Sequence, residues 1–346
     1  MRQLYQWVRK ESKTWRGLSR HCRENIVVFS RAAAYAQSSQ LRRIAGCAPG
    51  QADSQRRRLQ RFVKTAHPLG LFFQGWTRSV ARALAGEELV VVVDETKLKD
   101  KVGIMLAGVV YQGRCIPLAW RVYRANDTTA YPAEGQARMI IRLLNVIRAG
   151  LPPRVRVRVL ADRGIGTSPL LMRGIMAMGW SFLFRVTRLS KIVLPDGAAV
   201  CFHDQVTQPG QTYSASGQVF KKRGHIPGHV RVLWGHQATD KWALVTNDAT
   251  LTGWEYAQRM WIEEAFRDLK SFGFQLEDAW LDVPSRIAHL LIVVAVAYAW
   301  LLLWGHVREA QHQTAALKKR KDGATVRRWS LFREGRQAML LAVPSG

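Results

Sequence analysis

The chain has 346 residues, a length that suggests two or three domains at roughly 150 residues each and excludes a small peptide-like factor. Its 52 Lys and Arg against 25 Asp and Glu leave a net charge of +27 at pH 7, while 48% of the residues are hydrophobic. That pairing excludes a disordered basic tail and implies a folded core whose cationic surface meets a polyanion, of which nucleic acid is the common intracellular one.

The first 85 residues carry 17 Lys and Arg against 3 acidic residues, a net +14, about half the excess in a quarter of the chain. Residues 1–86 are therefore read as a helical, basic DNA-binding domain. Trp15, Leu18 and Cys22 fall three and four apart, and Ile26, Val27, Ser30, Ala33 and Ala34 continue a helical stripe. The run Gly46-Cys-Ala-Pro-Gly50 breaks it. Asp53 is expected to cap a second helix bearing Arg56, Arg57 and Arg58, a helix-turn-helix-like arrangement suited to phosphate.

From Gly86 the texture changes. Leu89 to Val93 is a β-branched run that reads as a buried strand ending in Asp94. Val102 to Tyr111 and Cys115 to Tyr123 follow as two strands around the turn Gln112-Gly113-Arg114, and residues 132–149 show a helical period. Val155 to Ala161 is a further strand, this one ending in Asp162. Ser168 and Pro169 then supply a cap and a first-turn proline for a helix, and Trp180 to Val186 closes the set. A meander that crosses over to a parallel fourth strand puts Asp94 and Asp162 side by side at the carboxyl edge of the sheet, about 5 Å apart. Two buried like charges that close call for a cation.

Residues 188–249 are rich in turns and short β runs and are expected to form an insertion. Thr252-Gly-Trp-Glu255 is a capping box that opens a helix running through Lys270. At 100° per residue, Tyr256, Arg259, Glu263 and Lys270 share an arc of about 60°, opposite the apolar Trp261, Ile262, Ala265 and Leu269. Glu264 projects about 100° away, so Glu263 is the carboxylate aimed with the basic residues at a common site. The apolar stretch from Leu290 to Trp304 falls short of the roughly 20 residues a bilayer requires and reads as a core helix. A basic tail, 311–346, follows it with Lys318, Lys319, Arg320, Lys321, Arg327, Arg328, Arg333 and Arg336.

Four dispersed cysteines, Cys22, Cys47, Cys115 and Cys201, give neither a C-x-x-C pair nor a disulfide framework, and His225, His229 and His236 have no Cys partner at zinc spacing. With no secretory pattern at the start, a reducing cytoplasm, close to the nucleoid and away from membranes, is expected. Gly164-Ile-Gly166 lacks the third glycine of a dinucleotide fingerprint.

The spacing Tyr-(two)-Arg-(three)-Glu-(six)-Lys at Tyr256, Arg259, Glu263 and Lys270 resembles the signature of the DDE transposases of bacterial insertion sequences, in the insertion sequence four branch. The surroundings of Asp94 and Asp162 look like those of that family's two aspartates, and Ser330 to Arg333 like its C-terminal region. The resemblance implies an α/β fold. It consists of a ribonuclease H-like mixed sheet with flanking helices, divided into a first core part (87–187), a β-rich insertion (188–249) and a second core part with the Glu-bearing helix (250–310). It further implies Asp94, Asp162 and Glu263 as catalytic ligands of two Mg²⁺ ions, with Mn²⁺ as the alternative, and two-metal hydrolysis followed by 3′-OH strand transfer. Tyr256, Arg259, Lys270 and Arg163 would position DNA, and Trp234 would stack on a base. The partners would be double-stranded DNA with terminal inverted repeats and a target DNA, held by a homodimer. A ribonuclease H-like structure-specific nuclease and a non-catalytic DNA-binding relic are the competing expectations.

Overall fold

In the computed structural model the described residues are 2–129, 131–220, 225–311, 317–319, 325–327 and 329–341. The chain opens with five helices, α1 (Arg2–Ser12), α2 (Arg20–Ala36), α3 (Leu41–Gly46), α4 (Ala52–Lys64) and α5 (Leu69–Leu84). Trp15 and Leu18 are buried as their spacing suggested, but they sit in the turn before α2, whose own cap is Ser19 accepting from the Cys22 amide. Asp53 is likewise one step inside α4 and not its cap. It lies in the first turn, where a carboxylate still opposes the helix dipole, and pairs with Arg56 at 3.4 Å.

The strands β1 (Glu88–Leu98), β2 (Val102–Tyr111) and β3 (Arg114–Arg124) form an antiparallel meander. Helix α6 (Gly135–Gly150) carries the chain over to β4 (Arg156–Ala161), which pairs parallel with β1. A single turn, α7 (Arg163–Gly166), and α8 (Pro169–Ala177), capped by Ser168, lead to β5 (Ser181–Arg185), parallel to β4. Successive residues of β1 from Val91 to Asp94 are all buried, which requires cover on both faces of the sheet. Helices α5, α6 and α8 pack as one group against it, and the later helices form the other.

The segment predicted as an insertion holds β6 (Lys191–Val193), β7 (Ala199–Cys201), β8 (Thr212–Val219), β9 (Ile226–Leu233) and β10 (Trp242–Thr246). It is not a detached module. β10 pairs antiparallel with β5, so that one ten-stranded sheet runs β3-β2-β1-β4-β5-β10-β9-β8-β6-β7.

After β10 a 3-10 helix (Trp254–Arg259) passes into α9 (Met260–Arg267) and then into a π turn (Asp268–Phe272). One continuous α-helix was expected here. Glu255 does act in the capping box, accepting from the amides of Thr252 and Gly253, but the turn it caps is tighter than an α turn. Helix α10 (Pro284–Gln311) is 28 residues long, well beyond the predicted stretch. It is apolar on all sides, and 89% of its most apolar window is buried inside the protein, so it is the central core helix. It packs against α2, α4 and β3. After the short strands β11 (Leu317–Lys319) and β12 (Thr325–Arg327) comes α11 (Leu331–Leu341), which lies directly on α10. The approach is close enough that a Cβ on Gly335 would strike the Leu301 carbonyl and one on Gly305 that of Leu331. Of the basic tail, Arg320, Lys321 and Arg328 lie outside the described residues.

Candidate active site

The last parallel pair between β1 and β4 is Val93 with Ala161. The next residue on each strand is an aspartate, so Asp94 and Asp162 stand side by side where the parallel ladder ends. β1 itself continues to Leu98 on its pairing with β2, and Asp94 is therefore mid-strand, not at a strand end as expected. That continuation buries Asp94 to 9% exposure, whereas Asp162, leaving its strand, caps α7 by accepting from the Ile165 amide.

The third carboxylate arrives from α9. Arg259, the residue joining the 3-10 helix to α9, projects its guanidinium among all three acids. Nη2 lies 2.8 Å from Asp94 Oδ2 and 3.8 Å from Asp162 Oδ2, and Nη1 bonds Glu263 Oε1. A guanidinium spans only about 2.3 Å between its terminal nitrogens, so the contacted oxygens lie within about 8 Å of one another. The three acids, 68 and then 101 residues apart in sequence, thus share one cation. Glu264 points elsewhere, to Arg267 at 2.8 Å and Arg114 at 3.6 Å, as the helical-face argument required.

Burial pushes the Asp94 carboxyl up to about 6, against the pull of Arg259 and with the push of Asp162 and Glu263. Asp94 therefore needs positive charge nearby to stay ionised. Burial also works against the charge on Arg259, but Asp94 leads the groups that together hold its pKa above the usual value. Three carboxylates are hard oxygen donors of the kind Mg²⁺ and Mn²⁺ select, and in that respect the residues fit the implied ions. As they stand, however, no three His, Cys, Asp or Glu side chains among the described residues are grouped at metal-holding distance. His229 is taken by Ser216 at 2.7 Å and belongs to no such group either.

The remaining predicted residues divide. Tyr256 eclipses Arg259 because residues three apart in a 3-10 turn align. It is buried, its ring 5.2 Å from that of Trp242, and burial raises its hydroxyl pKa, so it is a neutral phenol beside the acids. Lys270 lies in the π turn, and its Nζ stands 3.5 Å from Thr96 Oγ1 and 3.5 Å from Glu277. Arg163 is exposed next to Asp162. Trp234 is half-buried at the end of β9. Its indole N–H donates to the Ala238 carbonyl at 3.0 Å, and Lys241 covers its ring at 5.2 Å. Trp254, to which the sequence pattern assigned no role, is half-exposed with its ring 6.1 Å from that of Trp242.

On α4, Arg56 and Arg57 are exposed, whereas Arg58 turns inward to Asn25 Oδ1 at 2.6 Å and lies over the Phe29 ring. Arg57, Arg61 and Lys64, spaced four and three apart, form the exposed cationic stripe of that helix.

No protein-family model and no curated protein matches the sequence. Among solved structures the chain is similar to human endonuclease V, with 14% identity over 75% of this chain and 100% of that one, at a TM-score of 0.27. A second human structure, the catalytic domain of endonuclease V with cysteine substitutions, gives 13% identity over 77% and 100% of the two chains, again at 0.27. Scores this low carry no argument, and the reading below rests on the geometry above.

Proposed function

We propose that the chain is a DDE-type DNA transposase that cuts phosphodiester bonds at the ends of its element and joins the freed 3′-OH ends to target DNA. The observation that carries this reading is the convergence of Asp94, Asp162 and Glu263 around one guanidinium. The β3-β2-β1-β4-β5 order, with β1, β4 and β5 parallel, supports a ribonuclease H-like core beneath it.

Asp94, the most enclosed of the acids, would be the ligand shared by two divalent cations, with Asp162 and Glu263 each completing one shell. Such a pair supplies Lewis acidity that favours deprotonation of the attacking hydroxyl and stabilises the leaving oxygen. The chain's own groups do the positioning. Arg163, exposed on α7, would hold a phosphate next to Asp162, and Lys270 bonds Thr96 on β1. Tyr256, neutral and buried, supports Arg259 and does not attack. The α4 stripe of Arg57, Arg61 and Lys64, on the most basic quarter of the chain, would grip the duplex through its phosphates, giving strongly salt-dependent binding. The partners are then terminal inverted repeats, a target duplex and a second copy of the chain across the synapse, at the bacterial nucleoid.

The DNA flanking the reading frame provides the test. Purified protein, a fragment carrying each flank and a supercoiled target plasmid are incubated with Mg²⁺, and the products are sequenced. Cleavage at short inverted repeats with the cut strand joined to the plasmid is the expected result. Cleavage that never leads to joining would replace this reading with a structure-specific nuclease, and binding without cleavage would replace it with a non-catalytic relic.

A further inference from the structure

Arg259 occupies the space in which a shared cation would stand. Its fork touches Asp94, Asp162 and Glu263 together, its side chain is only 11% exposed, and its Nε–H has no hydrogen-bond partner. A guanidinium tied to phosphate or to fixed surface acids would normally use that donor. The acids, for their part, are spread around a planar fork about 2.3 Å wide between terminal nitrogens, and in this arrangement they do not stand at metal-holding distance.

These facts set Arg259 and a divalent ion in competition for the same carboxylate oxygens. Mg²⁺ binds carboxylate oxygens at roughly 2.0–2.1 Å. An ion on Asp94 Oδ2 would therefore meet a nitrogen already 2.8 Å from that atom, and two like charges would share a site of low polarity. Removing the arginine without a replacement is unfavourable, because Asp94 is buried and Asp162 and Glu263 stand beside it.

We propose that Arg259 is an exchangeable counter-ion. In the ion-free chain its guanidinium pairs with Asp94, Asp162 and Glu263, and divalent metal binds by expelling it. This rests on the metal-dependent reading above and adds to it a built-in competitor. The competitor lowers the chain's affinity for stray metal, and on release it frees a five-donor fork for an anion. Any anion that binds the expelled fork therefore promotes metal binding, and metal reciprocally promotes anion binding.

The test uses the full chain without DNA and reads metal binding, not activity. Mn²⁺ is titrated calorimetrically into the natural chain and into Arg259→Gln. The variant, lacking the competitor, is expected to bind about tenfold tighter, the ratio set by one charge-assisted hydrogen bond of competition. The Arg259 Nε–H resonance of ¹⁵N-arginine-labelled natural protein, assigned by its loss in Arg259→Lys, is followed as Mg²⁺ is added. It is expected to shift along the same saturation curve as binding. If Arg259→Gln does not fold, this second measurement decides by itself. Saturable metal binding with an unmoved Arg259 resonance, or equal affinity in the two proteins, overturns the exchange alone. Binding by neither protein overturns the metal reading with it.

Discussion

Glu263→Gln is expected to abolish DNA cleavage, by about a thousandfold or more, while leaving DNA affinity within a few fold. The substitution keeps the size of the side chain and its place on α9 but removes the charge that would complete the ligand set with Asp94 and Asp162. Glu264→Gln is the internal control. Its carboxylate serves Arg267 and Arg114 on the other side of the helix, so the rate should stay within a few fold of the natural chain. Single-turnover cleavage of an end-labelled duplex, with affinity measured separately, separates the two roles. A dead Glu264→Gln beside an active Glu263→Gln would mean that the face of α9 turned to the chemistry is the opposite one.

Arg114→Leu is expected to lower stability by about 3–5 kcal/mol without touching the carboxylate trio, because it strands a buried charge. Asp268, in the π turn after α9, accepts from Arg114 Nε at 2.8 Å and from the Tyr298 hydroxyl of α10 at 3.1 Å. Burial raises the Asp268 carboxyl pKa and Arg114 opposes it, so without the arginine the aspartate either stays charged in an apolar setting or must take up a proton. Denaturant unfolding reads the loss. The double variant Arg114→Leu/Asp268→Leu should recover much of it, since replacing both partners removes the uncompensated charge. A near-zero effect of Arg114→Leu would mean that Tyr298 alone satisfies Asp268.

The elements around the site were legible where the pattern is local. The β-branched run of β1, the limits of β2 and the Ser168-Pro169 start of α8 all follow from side-chain period and cap chemistry, and the structure has them there. Glu263 was separable from Glu264 because a single helical turn decides which way each points. The larger departures come from contacts that no local pattern encodes. Asp268, which opens the π turn, pairs with Arg114, 154 residues away, and that arginine had been read only as part of a hairpin turn. Trp234 was expected to stack on a base, and in the structure Ala238 and Lys241, further along the same loop, engage it. Arg259 was placed on the correct face and read as a phosphate ligand. Its contact with Asp94 spans 165 residues, and only the assembled sheet edge reveals it as the counter-ion of the acids.

Asp94, Asp162 and Glu263 are expected to form one divalent-cation site when the chain is bound to DNA. Crystals of the chain with a duplex bearing its element's end, grown with Mn²⁺, test it through the anomalous signal of the metal. Anomalous peaks bounded by these three carboxylates are expected, with ligand distances of roughly 2.0–2.3 Å and the Arg259 guanidinium moved off Asp94. Mn²⁺ bound elsewhere, with Arg259 still seated among the three acids on a cleavable DNA end, would contradict it.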